Sequence, residues 1–359
     1  MAALLLLLAL FATIVVPLSG EPVGVCYGMM GNNLPSKQEV IGLYGQYNIR
    51  RMRLYDPNGE ALNALRNSGI ELVLGVPNSD LRSLATNPSA ARWWVQTNVL
   101  NYYPAVRFRF IAVGNEVVPS NGGGDVLPAM RNVYDAIRGA NLQDQIKVST
   151  AIDMTLIGTS FPPSAGAFRG DVRSYIDPII SFLVSTNSAL LANIYPYFSY
   201  TSNPRDISLP YALFTSPSVV VWDNGRGYQN LFDAILDALY SAIERSGGGS
   251  LPVVISESGW PSGGGFAATL DNARAFCTNL AARVRDNRGT PKRPGGRLET
   301  YLFAMFDENW KSPDIEKNFG VFYPNKQPKF PIGFSATGRI GYSDVYGWGN
   351  NVTSFRSDV

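Results

Sequence analysis

Phe110-Ile-Ala-Val-Gly-Asn-Glu116 is an apolar run that stops abruptly at an acid, and Val253-Val-Ile-Ser-Glu257 does the same before Ser258-Gly259-Trp260-Pro261. Such runs, closed by Gly or Pro, have the form of parallel strands that deliver a carboxylate to the edge of a sheet. Six more short β-rich runs lie around them: Val23 to Tyr27, Arg51 to Tyr55, Glu71 to Val76, Lys147 to Ile152, Leu190 to Tyr195 and Tyr301 to Phe306. Amphipathic helical stretches separate the runs. The first begins at Ser36, where Ser36 and Glu39 form a capping box and Val40, Leu43, Tyr44 and Tyr47 make one apolar face. Strand followed by helix, eight times over, predicts a (β/α)8 barrel. In that fold the chemistry sits at the C-terminal ends of the strands, so Glu116 on the fourth and Glu257 on the seventh are expected at one mouth.

Between Phe198 and Ser250 the chain is longer than a βα connection requires. A small subdomain inserted after the sixth strand is expected there. It is read as a hairpin-like pair around Tyr211-Ala-Leu-Phe214 and Val219-Val-Val-Trp222, then a helix carrying Leu231, Ile235 and Leu239.

The ends differ from the middle. Met1 to Val16 is almost wholly Ala, Leu, Ile, Val and Phe, and Pro17-Leu-Ser-Gly20 follows, which reads as a secretory signal over 1–20 with cleavage near 19–22. The span is short for a membrane helix, although the absence of a basic residue before it leaves an N-terminal anchor as the rival reading. After Phe334 the composition turns to Gly, Ser, Asn and Asp without an apolar period, so 22–334 is expected to be the catalytic domain and 335–359 a C-terminal extension. That extension holds the sequon Asn351-Val352-Thr353, and its end is too polar for a GPI anchor.

Among 359 residues there are 30 Lys and Arg against 28 Asp and Glu, and the basic residues form no run, which argues against a nucleic-acid binder. The two cysteines, Cys26 in a strand and Cys277 in a helical pattern, are expected to be buried thiols rather than a bridge. The chain has no histidine, so acid and base work falls to carboxylates. Two glutamates brought together from separate strands meet the need of glycosidic-bond hydrolysis, one donating a proton and one acting as nucleophile or base. Each glutamate alone could equally be a solvated strand end.

Longer motifs add to the pairing. Val23-Gly-Val-Cys-Tyr-Gly28, Asn32-Asn-Leu-Pro35, Arg51-Met-Arg-Leu-Tyr-Asp-Pro57, Ala192-Asn-Ile-Tyr-Pro-Tyr197, Ser256-Glu-Ser-Gly-Trp-Pro-Ser262 and Phe303-Ala-Met-Phe-Asp-Glu-Asn309 resemble plant glycoside hydrolase family 17, the endo-β-1,3-glucanases and their relatives. The resemblance implies Glu116 as acid/base, Glu257 as nucleophile, retention of configuration, and Asn115 on the sugar 2-hydroxyl, with a turn-forming Asn as the plain alternative. It implies Glu308 and Lys311 as supports of the site and gives Glu316 a lesser place. Asp307 and Trp310 depart from the family's common Phe-Asn-Glu-Asn-Gln-Lys segment. Tyr55, Tyr195 and Phe303 are candidates for sugar contact, with barrel core as the rival for each. The protein is expected to be a monomer, free of membrane once mature; by the same resemblance it acts on a β-1,3-glucan without metal or cofactor and is delivered to the vacuole or, alternatively, the cell wall. The competing functions are a mixed-linkage β-1,3-1,4-glucanase and a glucan-binding barrel without turnover.

Overall fold

The computed structural model describes residues 22–334. The expected signal segment, the extension over 335–359 and its sequon at Asn351 lie outside the described residues. Eight parallel strands close a barrel: β1 (Gly24–Cys26), β2 (Arg51–Leu54), β3 (Glu71–Val76), β4 (Arg107–Asn115), β5 (Lys147–Ile152), β6 (Leu190–Asn193), β7 (Val253–Ser258) and β8 (Thr300–Leu302). Each pairs with its neighbours in chain order, and β8 closes on β1 through Gly24 opposite Tyr301. All eight runs marked in the sequence are strands of this barrel.

Strand periodicity divides the apolar residues into two cores. Met52, Leu54, Leu72, Leu74, Ile111 and Val113 point outward and pack under the helices. Their alternates Val73, Phe110, Ala112, Ala151, Leu191 and Val254 fill the lumen together with Cys26 and Tyr301. The first helix, Lys37–Gln46, starts as expected: the Ser36 N–H donates to Glu39 Oε2 at 3.0 Å, and the Glu39 N–H to Ser36 Oγ at 3.4 Å. Cys26 and Cys277 are both buried and free.

The segment after β6 differs in detail from its expected form. Leu209–Ala212 is a short helix rather than a strand. The hairpin pairs Val221–Asp223 with Arg226–Tyr228 across Asn224-Gly225, whose φ values of 48° and 74° are those of a primed turn. Asn-Gly marks such a turn in sequence, but the β-branched Val219–Val221 drew the reading upstream. A second ribbon, Ile157–Thr159 with Ala167–Phe168, follows β5 and was not anticipated. It joins the helix Leu231–Arg245, where Arg245 Nε donates to the Gly166 carbonyl at 3.0 Å. Two βα connections, not one, therefore build the subdomain beside the mouth.

Candidate active site

A cleft of about 800 Å³ opens at the C-terminal ends of the strands, and its walls include Glu116, Glu257, Asn115, Tyr195, Phe303 and Glu308. Both acid-bearing strands break register just before their acids. On β4 the pairing with β5 runs Ala112 to Ser149 and then Asn115 to Ala151; on β7 the pairing with β6 shifts between Ile255 and Glu257. Strict alternation would send Asn115 and Glu257 outward with Val113 and Ile255. One extra residue in each strand reverses the face. Gly114, at φ 77°, absorbs the β4 bulge, and Glu116 itself holds φ 50°, a left-handed conformation that is costly for a residue with a Cβ.

Three donors meet Glu257. Arg53 NH1 and Tyr55 OH each reach Oε1 at 2.9 Å, and Tyr195 OH reaches Oε2 at 2.5 Å. An ionised carboxylate accepts all three, whereas a protonated one would give up an acceptor position. Arg53 is buried and links the whole floor of the cleft: it also donates to Asn193 Oδ1 at 3.0 Å, to the Ser256 carbonyl at 2.9 Å and to Asn115 Oδ1 at 2.6 Å. Asn193 in turn donates to Glu116 Oε1 at 2.8 Å and to Asn115 Oδ1 at 3.2 Å.

Glu116 thus meets a neutral amide where Glu257 meets a guanidinium. Burial first, and then the negative charge of Glu257, push Glu116 up to about 7, against the opposing pull of the Asn193 hydrogen bond. One carboxyl is complemented as an anion and its neighbour is poised to keep a proton, the division of labour that acid-assisted displacement demands.

Glu308 is buried beside the pair. Its Oε1 accepts the Met30 N–H at 2.8 Å and its Oε2 meets Lys311 Nζ at 3.1 Å. Gly28 makes room for it, since a Cβ there would come within 2.4 Å of the carboxylate. Lys311 Nζ also stands 4.1 Å from the centre of the Phe303 ring. Glu316 lies on the cleft wall, where burial pushes its carboxyl up and Lys311 opposes the rise.

Residues 23–334 match the family described as glycosyl hydrolases family 17. The chain belongs to glycosyl hydrolase family 17. It is 79% identical over 337 residues to a probable glucan endo-1,3-beta-glucosidase of Arabidopsis thaliana, covering 94% of this chain and 98% of that protein. It is 54% identical over 350 residues to a basic vacuolar isoform of glucan endo-1,3-beta-glucosidase from Nicotiana tabacum, covering 96% and 94% of the two chains. Among solved structures it is similar to a beta-1,3-glucanase and allergen of Cryptomeria japonica pollen, with a TM-score of 0.85, 48% identity, and 88% and 99% of the chains covered.

The candidates for catalysis, support and sugar contact in this family 17 chain all line the cleft, Lys311 among them, whereas Asn351 lies outside the described residues. Tyr55 and Tyr195 line it, but their hydroxyls are engaged by Glu257. Phe303 is only 6% exposed and packs edge-on against Tyr55, Tyr195 and Phe319, so it is both cleft wall and lumen core. Asp307 occupies an ion pair with Lys329 at 2.6 Å, and Trp310 stands exposed at the rim. Sequence reading missed Arg53 and Asn193. A signal for Arg53 was present: arginines two apart in Arg51-Met-Arg53 share one face of a strand otherwise apolar, which in a closed barrel means charge in the lumen.

Proposed function

We propose that this family 17 protein hydrolyses internal β-1,3-glucosidic bonds of β-glucans with retention, using Glu257 as nucleophile and Glu116 as acid and then base. The observation that carries this reading is the unequal setting of the two carboxyls in one open cleft: three donors on Glu257, a neutral amide on Glu116. In the first step Glu257 attacks the anomeric carbon as the C1–O bond breaks, and the Glu116 proton passes to the departing glycosidic oxygen. Retention by this route requires carboxyls ~5–5.5 Å apart. In the glycosyl-enzyme, Glu257 is a neutral ester. The charge that helped to hold the proton on Glu116 is then gone, so Glu116 takes a proton from water as that water attacks C1 and Glu257 departs. Asn115, held by Arg53 and Asn193, is assigned to the sugar 2-hydroxyl, and Glu308 with Lys311 to support of the cleft wall.

The substrate is a β-1,3-glucan chain, the enzyme acts as a monomer, and its route is secretory, with the vacuole as destination. Similarity to a basic vacuolar isoform supports the last point, as does the end of the family match at residue 334, which leaves 335–359 as a removable address. Residues 1–20 serve as its signal. Among the described residues no helix is long and apolar enough to cross a membrane.

Reducing-sugar release from laminarin and from lichenan tests the function. Internal cleavage of laminarin, much faster than of lichenan and with oligosaccharide products, is expected; equal or reversed rates would give the chain to mixed-linkage hydrolysis. Proton NMR of the first product should show the β anomer. Truncation after Phe334 should leave activity intact and send the protein out of the cell; loss of activity or of thermal stability would instead make the extension part of the fold.

A further inference from the structure

The strand that carries Glu116 outlasts its neighbour. The last paired residues of β3 and β4 are Val76 and Val113, and Pro77, which has no N–H, then ends β3. Two residues on, the backbone of Asn115 is nevertheless paired as a strand would be. Its N–H donates to Asn78 Oδ1 at 2.8 Å, and its carbonyl accepts from Asn78 Nδ2 at 2.9 Å. A primary carboxamide offers the same donor and acceptor, side by side, as a peptide unit. The Asn78 side chain therefore stands where the missing residue of β3 would have been.

This pairing falls on the irregular C-terminal end of β4. Gly114 and Glu116 both have positive φ, and the bulge lies between Ala112 and Asn115. From the β5 side the turn is held by the Glu116 N–H, which donates to the Ala151 carbonyl at 2.9 Å. From the β3 side it is held by Asn78. We infer that Asn78 is a positioning residue for the reaction: its carboxamide clamps the Asn115 backbone and so holds the strained Gly114–Glu116 turn that aims the proton donor. The inference rests on the roles proposed above for Glu116 and Glu257. It requires no contact between Asn78 and the sugar.

Asn78→Ala tests the clamp by two routes. On laminarin its kcat should fall at least ~10-fold while KM moves less than ~3-fold, because misplacing a proton donor by a fraction of an ångström removes part of the ~10²–10⁴-fold that general acid catalysis supplies. On a dinitrophenyl β-laminaribioside, whose leaving group needs no proton, the burst of the first step should fall no more than ~2-fold, as for Glu116→Ala. An equal loss on both substrates, or no loss on either, would overturn the inference. The second route is independent of turnover: hydrogen exchange at the Asn115 amide should accelerate at least ~10-fold in Asn78→Ala while Ile111 keeps its protection. Asn78→Asp, which keeps the acceptor and loses the donor, should retain protection at that amide yet lose laminarin turnover. An Asn115 amide still protected in Asn78→Ala would refute the clamp even if the proposed function stood. A wild-type chain inactive on laminarin would refute the function, leaving the exchange result to decide the clamp.

Discussion

The two ends of the barrel lumen are built from the same kinds of residue and behave in opposite ways. At the N-terminal end Arg51 Nε meets Glu71 Oε2 at 3.0 Å, and Arg109 grips Glu299 through Nε and NH2 at 2.7 and 2.5 Å, with Tyr301 OH adding a bond to Glu299 Oε1 at 2.9 Å. Each carboxylate there faces at least one guanidinium, Glu71 meeting Arg107 at 3.6 Å and Arg109 at 3.9 Å as well. At the C-terminal end Arg53 is shared among Glu257, Asn115, Asn193 and the Ser256 carbonyl, and Glu116 receives only a neutral amide. Lumen charge is thus not functional in itself. What separates the floor from the candidate active site is whether every carboxylate faces a cation or the two are left unequal beside an open cleft.

The sharpest way to break the comparison is Glu257→Gln, which keeps volume and two hydrogen-bond partners but removes the proposed nucleophile. Turnover of laminarin should drop at least ~10³-fold with the thermal melt nearly unchanged; near-native kcat would end the assignment. Arg53→Met comes next, since it strips the shared donor from four acceptors at once. A loss of ~10²-fold or more in kcat is expected together with a clear fall in melting temperature, and a loss of stability without loss of rate would make Arg53 a floor residue like Arg109.

Acidity gives a subtler handle on the same asymmetry. Glu116, raised to about 7, is proposed to work as the acid in its protonated form, so kcat/KM should fall as pH rises through about 7. The sign follows from the direction of the shift: a raised carboxyl keeps its proton in the lower range and loses it above. Glu116→Gln should abolish that alkaline limb along with most activity on laminarin, and a limb that survived would belong to another group. The smallest effect should come from the floor. Glu299→Gln breaks a half-buried bidentate pair, and Arg109 is more than a third exposed, so the expected cost is about 1–2 kcal/mol by chemical denaturation, with kcat within ~2-fold of wild type. A large loss of activity would show the two ends to be coupled.

The fold was legible because its signal is repeated. Eight apolar runs separated by amphipathic helices name a barrel, and the acids ending two of them name its working face. Asn115, Glu308 and Lys311 were legible through motif. Asn193 and Asn78 were not, and Arg53 was legible only as a charge in the lumen, because each acts through partners far away in the chain: Arg53 reaches Asn193 and Glu257, and Asn78 reaches Asn115. The aromatic residues were legible as cleft residues but not in their roles, since the hydroxyls of Tyr55 and Tyr195 find Glu257 only once the barrel is closed. After β6, local propensity favoured Val219–Val221 over the Asn224-Gly225 turn that in fact sets the hairpin.

By itself the sequence determined the strand count, the mouth on which both glutamates open, and the absence of histidine that leaves acid–base work to carboxylates. Periodicity and composition are local properties, and they survive without knowledge of contacts. Only the tertiary structure decided which way Asn115 and Glu257 point, because a bulge reverses every alternation after it and shows itself only against a neighbouring strand. It alone also supplied the physical reason why Glu116, given that role by resemblance, is the one poised to keep a proton, because that depends on burial and on which cation stands beside which carboxyl, and closure of the barrel places Arg53 against Glu257.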